Sequence, residues 1–202
     1  MTDRRNFLQA AALTASGVAT AVRSSTAAAP SMEAQRPLAL NAVLIEAGSP
    51  QASAFGARLA AGNSTRLLTV PDGDVTSLWL QQIGPAWRRH PVAIAGLTSR
   101  SALFCLEQLS ALSGLRVLFH AEHIVLRGGR TEHHLLRGER IAGLGATELR
   151  RLGPLWPGRL ADAVAAHRAS GVRERAGPSV AALEPSMPAG ATLLTSWIIA
   201  PA

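Results

Sequence analysis

Short, uninterrupted apolar runs alternate with segments of helical periodicity in the first half of the chain. Runs without interleaved polar residues are typical of strands that are buried on both faces of a sheet. Strand–helix–strand repeats indicate parallel pairing with right-handed crossovers. We therefore predict an α/β fold of three layers, in which helices cover both faces of a mostly parallel sheet. The four predicted strands are residues 40–45, 67–70, 92–95 and 115–119.

The second half of the chain is less regular. Residues 124–126 and 132–136 flank a segment with two glycines, Gly128 and Gly129, which predicts a β-hairpin with a two-residue turn. Helical segments are predicted around residues 147–152 and 157–168, followed by a loop rich in Pro, Gly and Ser at 171–190. A C-terminal strand is predicted at 192–199.

Polar residues follow each of the four predicted parallel strands. In an open parallel sheet, ligands bind beyond the carboxyl ends of the strands, where the N-termini of the helices also point. Thr98, Ser99 and Arg100 lie at such a helix start, where unpaired N–H groups favour an anion. We therefore expect an anionic or carbonyl-bearing ligand at this edge. The candidate ligand-binding residues are Glu46, Ser49, Asp72, Thr98, Ser99, Arg100, His120 and Glu122.

A simpler interpretation applies to part of this set, because Ser, Thr and Asp commonly cap helix N-termini. Arg100 and His120 are not common caps, and they therefore favour the ligand hypothesis. His120 is also the candidate general base if the protein is an enzyme. The residues with both interpretations are Ser49, Asp72, Thr98 and Ser99.

Histidines in the predicted hairpin form a second candidate site. With a two-residue turn at Gly128 and Gly129, His123 faces His134 with Cβ atoms about 5 Å apart. Two imidazoles and a nearby carboxylate can hold a transition metal. His133 then falls on the opposite face, where we interpret it as a packing residue. The alternative is a polar, solvated hairpin, since a slip of one residue in the turn destroys the pairing.

Composition excludes several chemistries. All twenty basic residues are Arg, and the chain contains neither Lys nor Tyr, which excludes Schiff-base lysines, phosphate-loop lysines and tyrosine catalysts. Cys105 is the single cysteine, so an internal disulfide is excluded, and its helical position predicts a buried thiol. The net charge of +7 is spread along the chain without a cluster of basic and aromatic residues, so nucleic acid is not an expected partner.

The N-terminus carries the features of an export signal. An arginine pair, Arg4 and Arg5, is followed by Phe7 and Leu8, a moderately apolar run at 10–22 and small residues at 24–29. The run is short and weakly apolar for a membrane span. Residues 1–29 closely resemble twin-arginine signal peptides, with the S/T-R-R-x-F-L motif. The resemblance implies export of the folded protein to the periplasm by the twin-arginine translocase, with cleavage near Ala29 and no stable transmembrane segment afterwards.

The expected organisation is a signal peptide at residues 1–29 and a single α/β domain at 30–202, beginning with a linker at 30–38. Two functions stay open. One is a periplasmic protein that binds a small anionic ligand or a partner subunit, such as an accessory protein of a redox enzyme. The other is a small hydrolase or transferase with His120 as general base and Asp72 or Glu46 nearby. The sequence indicates no particular cofactor.

Replacing Arg4 and Arg5 by Lys is expected to leave the full-length precursor in the cytoplasm, because the export receptor reads the arginine pair. Cell fractionation and immunoblotting measure the ratio of precursor to processed protein. Export of the double variant at the normal rate would show that the twin-arginine assignment is wrong.

Overall fold

The computed structural model describes residues 38–61, 65–138, 140–167 and 187–201. These residues belong to a unit that spans residues 32–202. The twin-arginine segment, the linker apart from Leu38 and most of the predicted loop at 171–190 lie outside the described residues. The export signal therefore stays a prediction.

Six strands form one mixed sheet. They are β1 Leu40–Glu46, β2 Arg66–Val70, β3 Ala93–Thr98, β4 Leu115–Val125, β5 Thr131–Arg137 and β6 Thr192–Pro201. Their order across the sheet is β2–β1–β3–β6–β4–β5. The β1–β2 and β1–β3 pairs are parallel, and the β3–β6, β6–β4 and β4–β5 pairs are antiparallel. Strands β1 to β4 consequently run in one direction, and β5 and β6 run in the other.

The α/β class is confirmed, but the mostly parallel three-layer arrangement predicted from the sequence is not. Most of the pairings are antiparallel, because the C-terminal strand β6 is inserted between β3 and β4. The predicted crossover from β3 to β4 therefore joins two strands that share a direction but are not neighbours. The predicted hairpin is formed by β4 and β5, and the predicted C-terminal strand is β6.

Helices connect the strands, and two of them begin directly after a capping serine. They are α1 Pro50–Ala60, α2 Thr76–Leu78, α3 Gly84–Arg89, α4 Arg100–Ala111, α5 Ala146–Arg151 and α6 Trp156–Ala165. The Ser49 hydroxyl accepts a hydrogen bond from the Ala52 N–H, and the Ser99 hydroxyl accepts one from the Ala102 N–H. Among the described residues, no helix is long and apolar enough to cross a membrane.

The helical region between β2 and β3 is interrupted. A π-helical turn, Trp79–Ile83, separates α2 from α3. A Cβ atom at Gly84 would lie 2.9 Å from the Trp79 carbonyl oxygen. The close approach of the backbone at residue 84 to this oxygen therefore requires glycine. The sequence periodicity predicted a continuous helix here, because a π turn shifts the apolar stripe without removing it.

Alternate residues of the strands enter two buried clusters on opposite faces of the sheet. Val43 and Ile45 of β1 belong to a cluster with residues of α1, α5 and α6. Ala42 and Leu44 belong to a second cluster with residues of α3 and α4, which also contains Trp197 of β6. The central strands are therefore buried on both sides, as their apolar runs indicated.

Strands β3 and β6 approach closely at Gly96, which is paired with Trp197. A Cβ atom at Gly96 would collide with the indole ring of Trp197 and would lie 3.0 Å from the Leu44 carbonyl oxygen. The indole N–H donates to the Thr98 hydroxyl oxygen over 3.0 Å. The absence of a side chain at Gly96 thus makes room for the ring that holds Thr98 in place.

Gly96→Ala is expected to lower the free energy of unfolding by about 1–3 kcal/mol, because the added methyl group overpacks the contact with Trp197. Urea denaturation measures the change. The matched control is Gly158→Ala in α6, where an added Cβ meets open space. That helical position should tolerate alanine or gain up to about 1 kcal/mol. Equal stability of the two variants would contradict the proposed packing constraint.

Candidate functional site

A row of polar side chains crosses the sheet at the level where β3 ends. The strand register places Thr195 of β6 between Thr98 of β3 and Glu122 of β4, and it places Glu122 opposite His134 of β5. Residues directly opposite in an antiparallel pair point to the same face. We call this set the polar row, and its members are Thr98, Thr195, Glu122 and His134.

His120 lies next to the polar row on the same strand. It is paired with Trp197 of β6 on one side and with Arg137 of β5 on the other. The sequence placed His120 and Glu122 in a loop after a short fourth strand. This placement is wrong, since β4 continues to Val125 and is bonded on both sides across this segment. The two side chains project from the face of the sheet and not from a loop beyond its edge.

Arg100 connects the helix start to the polar row. Its Nε lies 3.3 Å from Glu122 Oε1, and the exposed fractions of the two side chains are 32% and 3%. A buried carboxylate is costly unless a cation compensates it. Ser99 caps α4 and so fixes the first helical residue, Arg100, above the sheet. The structure therefore does bring Arg100, Glu122 and His120 together. The Arg100 guanidinium, however, forms an ion pair with the Glu122 carboxylate of the same chain.

Glu46 serves the backbone of two neighbouring loops. Its Oε1 accepts a hydrogen bond from the Gly73 N–H over 2.9 Å, and its Oε2 accepts one from the Ser99 N–H over 2.6 Å. Gly73 has a φ of 73°, and a Cβ there would collide with the hydroxyls of Ser99 and Ser101. Glu46 thus holds together the segments that follow β1, β2 and β3. The sequence identified the residue, but not this tethering contact.

The remaining residues of the predicted edge site cap helices, are exposed to solvent, or are buried in the sheet. Ser49 and Ser99 act as caps, which is the simpler interpretation of the sequence. Asp72 is exposed with a φ of 46°, and its neighbour Asp74 accepts a hydrogen bond from the Thr76 N–H. Thr98 is buried, and its hydroxyl also donates to the Ser99 carbonyl oxygen. The ligand role of these residues stays a prediction.

Three buried polar atoms near the polar row have no hydrogen-bond partner among the described residues. They are Thr195 Oγ1, Glu122 Oε1 and His120 Nε2. The ion pair of Glu122 with Arg100 satisfies the charge of Oε1 but not the geometry of a hydrogen bond. Buried polar atoms are nearly always paired in folded proteins. Arg116 Nε, Thr131 Oγ1 and His133 Nε2 are further buried atoms without such a partner among the described residues, and none of them belongs to the polar row.

His120 is neutral at physiological pH. Burial lowers the pKa of its imidazole to about 4, and the positive charges of Arg100 and Arg137 act in the same direction. The ring therefore offers a hydrogen-bonding nitrogen without a positive charge. Its basicity is correspondingly low for a general base that works near pH 7.

A second polar cluster lies on the opposite face of the sheet. His123 Nδ1 is 2.7 Å from His133 Nδ1, and His123 Nε2 is 2.7 Å from the Ser196 hydroxyl oxygen. The His123 ring stacks on Trp156 of α6, with centroids 4.5 Å apart. All four side chains are buried. We call this set the histidine chain: Ser196, His123, His133 and Trp156.

The histidine chain corrects the predicted hairpin register by one residue. The loop contains three residues instead of two, because Leu126 and Arg130 are still bonded to each other through the Leu126 N–H. His123 is consequently paired with His133, and His134 is paired with Glu122 on the other face. The predicted metal pair of His123 and His134 is therefore wrong, since the two rings are separated by the sheet.

Among the described residues, no group of three or more His, Cys, Asp or Glu side chains could hold a metal ion. Cys105 is exposed, which corrects the prediction of a buried thiol. The buried residues of α4 are Ala102, Leu103, Leu106 and Ser110, so Cys105 lies outside the buried stripe of this helix.

Sequence reasoning missed the contribution of β6 to both polar clusters. A C-terminal strand was predicted, but nothing in the sequence indicated which strands Thr195 and Trp197 would join. Ser196, between them, carried no motif signal at all. Only strand insertion brings these residues beside Glu122 and His123.

The chain matches no family model, no curated protein and no solved structure.

The histidine chain should make the fold sensitive to acid. Burial lowers the pKa of His123 well below its ordinary value and lowers the pKa of His133 to about 4, with Arg150 as a further cause for His133. The unfolded chain takes up these protons near pH 6.5, whereas the fold resists them. Stability should therefore be complete above about pH 6.5 and fall as the pH approaches 4.

Urea denaturation between pH 7 and pH 4 measures this dependence. His133→Gln removes one titrating ring but keeps a hydrogen-bonding side chain, so its stability should fall less steeply with acid than that of the wild type. His90→Gln is the control, because His90 is exposed. An acid dependence in His133→Gln as steep as in the wild type would refute the assignment.

Proposed function

We propose that the chain is an exported periplasmic protein that binds a small polar ligand at the polar row. The observation that supports this proposal is the convergence of three unpaired buried polar atoms, on Thr195, Glu122 and His120, on one face of the sheet. A buried hydroxyl or imidazole nitrogen without a partner costs about 1–3 kcal/mol, whereas Arg100 compensates the charge of Glu122. A ligand that pairs with all three recovers part of that free energy on binding.

The chemistry of the three atoms indicates what the ligand presents. Glu122 Oε1 only accepts hydrogen bonds when the carboxylate is ionised, so the ligand supplies a donor there. Thr195 Oγ1 both donates and accepts, and can bind a carbonyl oxygen. An anionic group at Arg100 would compete with Glu122 for the guanidinium. A neutral carbonyl-bearing molecule with an N–H or O–H donor is therefore favoured over a fully anionic one.

The enzymatic alternative, with His120 as general base, has less support. The pKa of about 4 makes the ring a weak proton acceptor. His120 is paired across the sheet with Trp197, whereas the unpaired hydroxyl of Thr195 is opposite Glu122. The Ser196 hydroxyl belongs to the histidine chain on the other face. Association with a redox-enzyme subunit rests only on the predicted export route, so we place it second to ligand binding.

The test compares two Thr→Val variants purified from the periplasm under native conditions. Thr195→Val keeps the shape of the side chain but removes the unpaired hydroxyl, and it should weaken retention of the bound molecule by about tenfold. Thr69→Val, on an exposed position of β2, is the matched control and should retain it as the wild type does. Native mass spectrometry measures the bound fraction and the mass of the ligand.

A wild-type protein without a bound small molecule, or equal retention by the two variants, would contradict the proposal. Conversion of the bound molecule that is abolished in His120→Ala would instead establish the enzymatic alternative.

A further inference from the structure

A groove of about 400 Å³ lies at the amino ends of the central parallel strands, at the other edge of the sheet from the segments that Glu46 holds together. Asn41 lies near the start of β1, Arg66 begins β2, and Val92 directly precedes β3. Other residues come from the helical region between β2 and β3. We call this the amino-edge groove, and its polar lining consists of Asn41, Arg66, Gln81, Gln82, Arg89 and His90.

The lining of this groove is cationic and contains no acidic residue. Neither Arg66 nor Arg89 forms an ion pair with any residue in the described part of the chain. Arg66 Nη2 donates to Asn41 Oδ1 over 3.3 Å, and Arg89 Nε donates to the Pro85 carbonyl oxygen over 3.2 Å. Each guanidinium has five N–H donors, so most of them remain available to a ligand.

Two packed tryptophans support the helical region that lines the groove. Trp87 is buried, and its indole N–H donates to the carbonyl oxygen of Val92, which lines the groove. Trp79 packs edge-on against Trp87, with ring centroids 5.5 Å apart. Trp79 begins the π-helical turn that contributes Gln81 and Gln82. Such turns occur frequently at functional sites, and this one places two amide side chains beside the arginines.

We propose that the amino-edge groove binds a small organic anion through a carboxylate or phosphate group held by Arg66 and Arg89. Arginine forks match the oxygens of both groups in bidentate geometry. The Gln and Asn amides supply hydrogen bonds to the polar remainder of the ligand, and Ala86 and Val92 supply apolar contact. The volume lies in the range of small-molecule sites. This site is separate from the polar row, where Arg100 forms an ion pair with Glu122.

The test is an NMR titration of the isotopically labelled full chain at constant ionic strength, with inorganic phosphate and with succinate in separate experiments. The Arg side-chain Nε–H and Gln amide signals report on the groove. Saturable shifts with at least one of the two probes are expected. The double variant Arg66→Gln, Arg89→Gln should bind at least about tenfold more weakly, the loss expected when charge-assisted hydrogen bonds are removed.

Arg88→Gln is the matched control, since Arg88 is an exposed neighbour on α3 that does not line the groove, and its affinity should stay within about twofold of the wild type. Saturation by phosphate alone identifies a phosphate-bearing ligand, and saturation by succinate alone identifies a carboxylate. Absence of saturable binding, or equal weakening by Arg88→Gln, overturns the proposal. Thr195→Val should leave the titration unchanged, so the failure of one site is distinguishable from the failure of the other.

Discussion

The insertion of β6 between β3 and β4 is the constraint on which the rest of the structure depends. This strand is bonded on both edges and is buried along most of its length. Because side chains alternate along a strand, consecutive residues of β6 serve opposite faces of the sheet. Thr195 and Trp197 face the region of α4, and Ser196 faces the histidine chain. One short segment of β6 therefore contributes a residue to each polar cluster. The register of β6 determines which residues of β3 and β4 lie beside them.

The polar side chains that stabilise the fold and those proposed to bind ligands lie in different parts of the protein. Ser49 and Ser99 cap helices, and Glu46 binds the backbone N–H groups of two loops. These side chains stabilise the sheet edge and leave little hydrogen-bonding capacity for a ligand. Three of the buried atoms that have no hydrogen-bond partner among the described residues lie instead on the face of the sheet, at or beside Glu122. In the amino-edge groove, Arg66 and Arg89 form no ion pair with any residue in the described part of the chain. The two candidate sites thus lie in different places and differ in the charge of their side chains.

Local signals predicted much of the fold and part of the site. The apolar runs identified β1 to β3, and the serine before Pro50 identified the start of α1. The hairpin was found, but its register was not, because a two-residue and a three-residue loop can both be built around two glycines. This difference of one residue in loop length decides whether His123 is paired with His133 or with His134. The polar segment from His120 to His123 resembled a loop, because burying polar and charged side chains costs free energy. In the folded protein, hydrogen bonds to the neighbouring strand and the ion pair with Arg100 offset this cost.

The sequence by itself determined the α/β class, the strands with continuous apolar runs, and the exclusion of lysine and tyrosine chemistry. These properties depend on the identity and spacing of residues that are close in the chain. Only the tertiary structure decided the order of the strands, the partner of each histidine, the ion pair of Arg100 with Glu122 and the position of the amino-edge groove. These properties depend on pairing between distant segments. The free energies of alternative strand orders differ through packing and hydrogen bonding that no local pattern records.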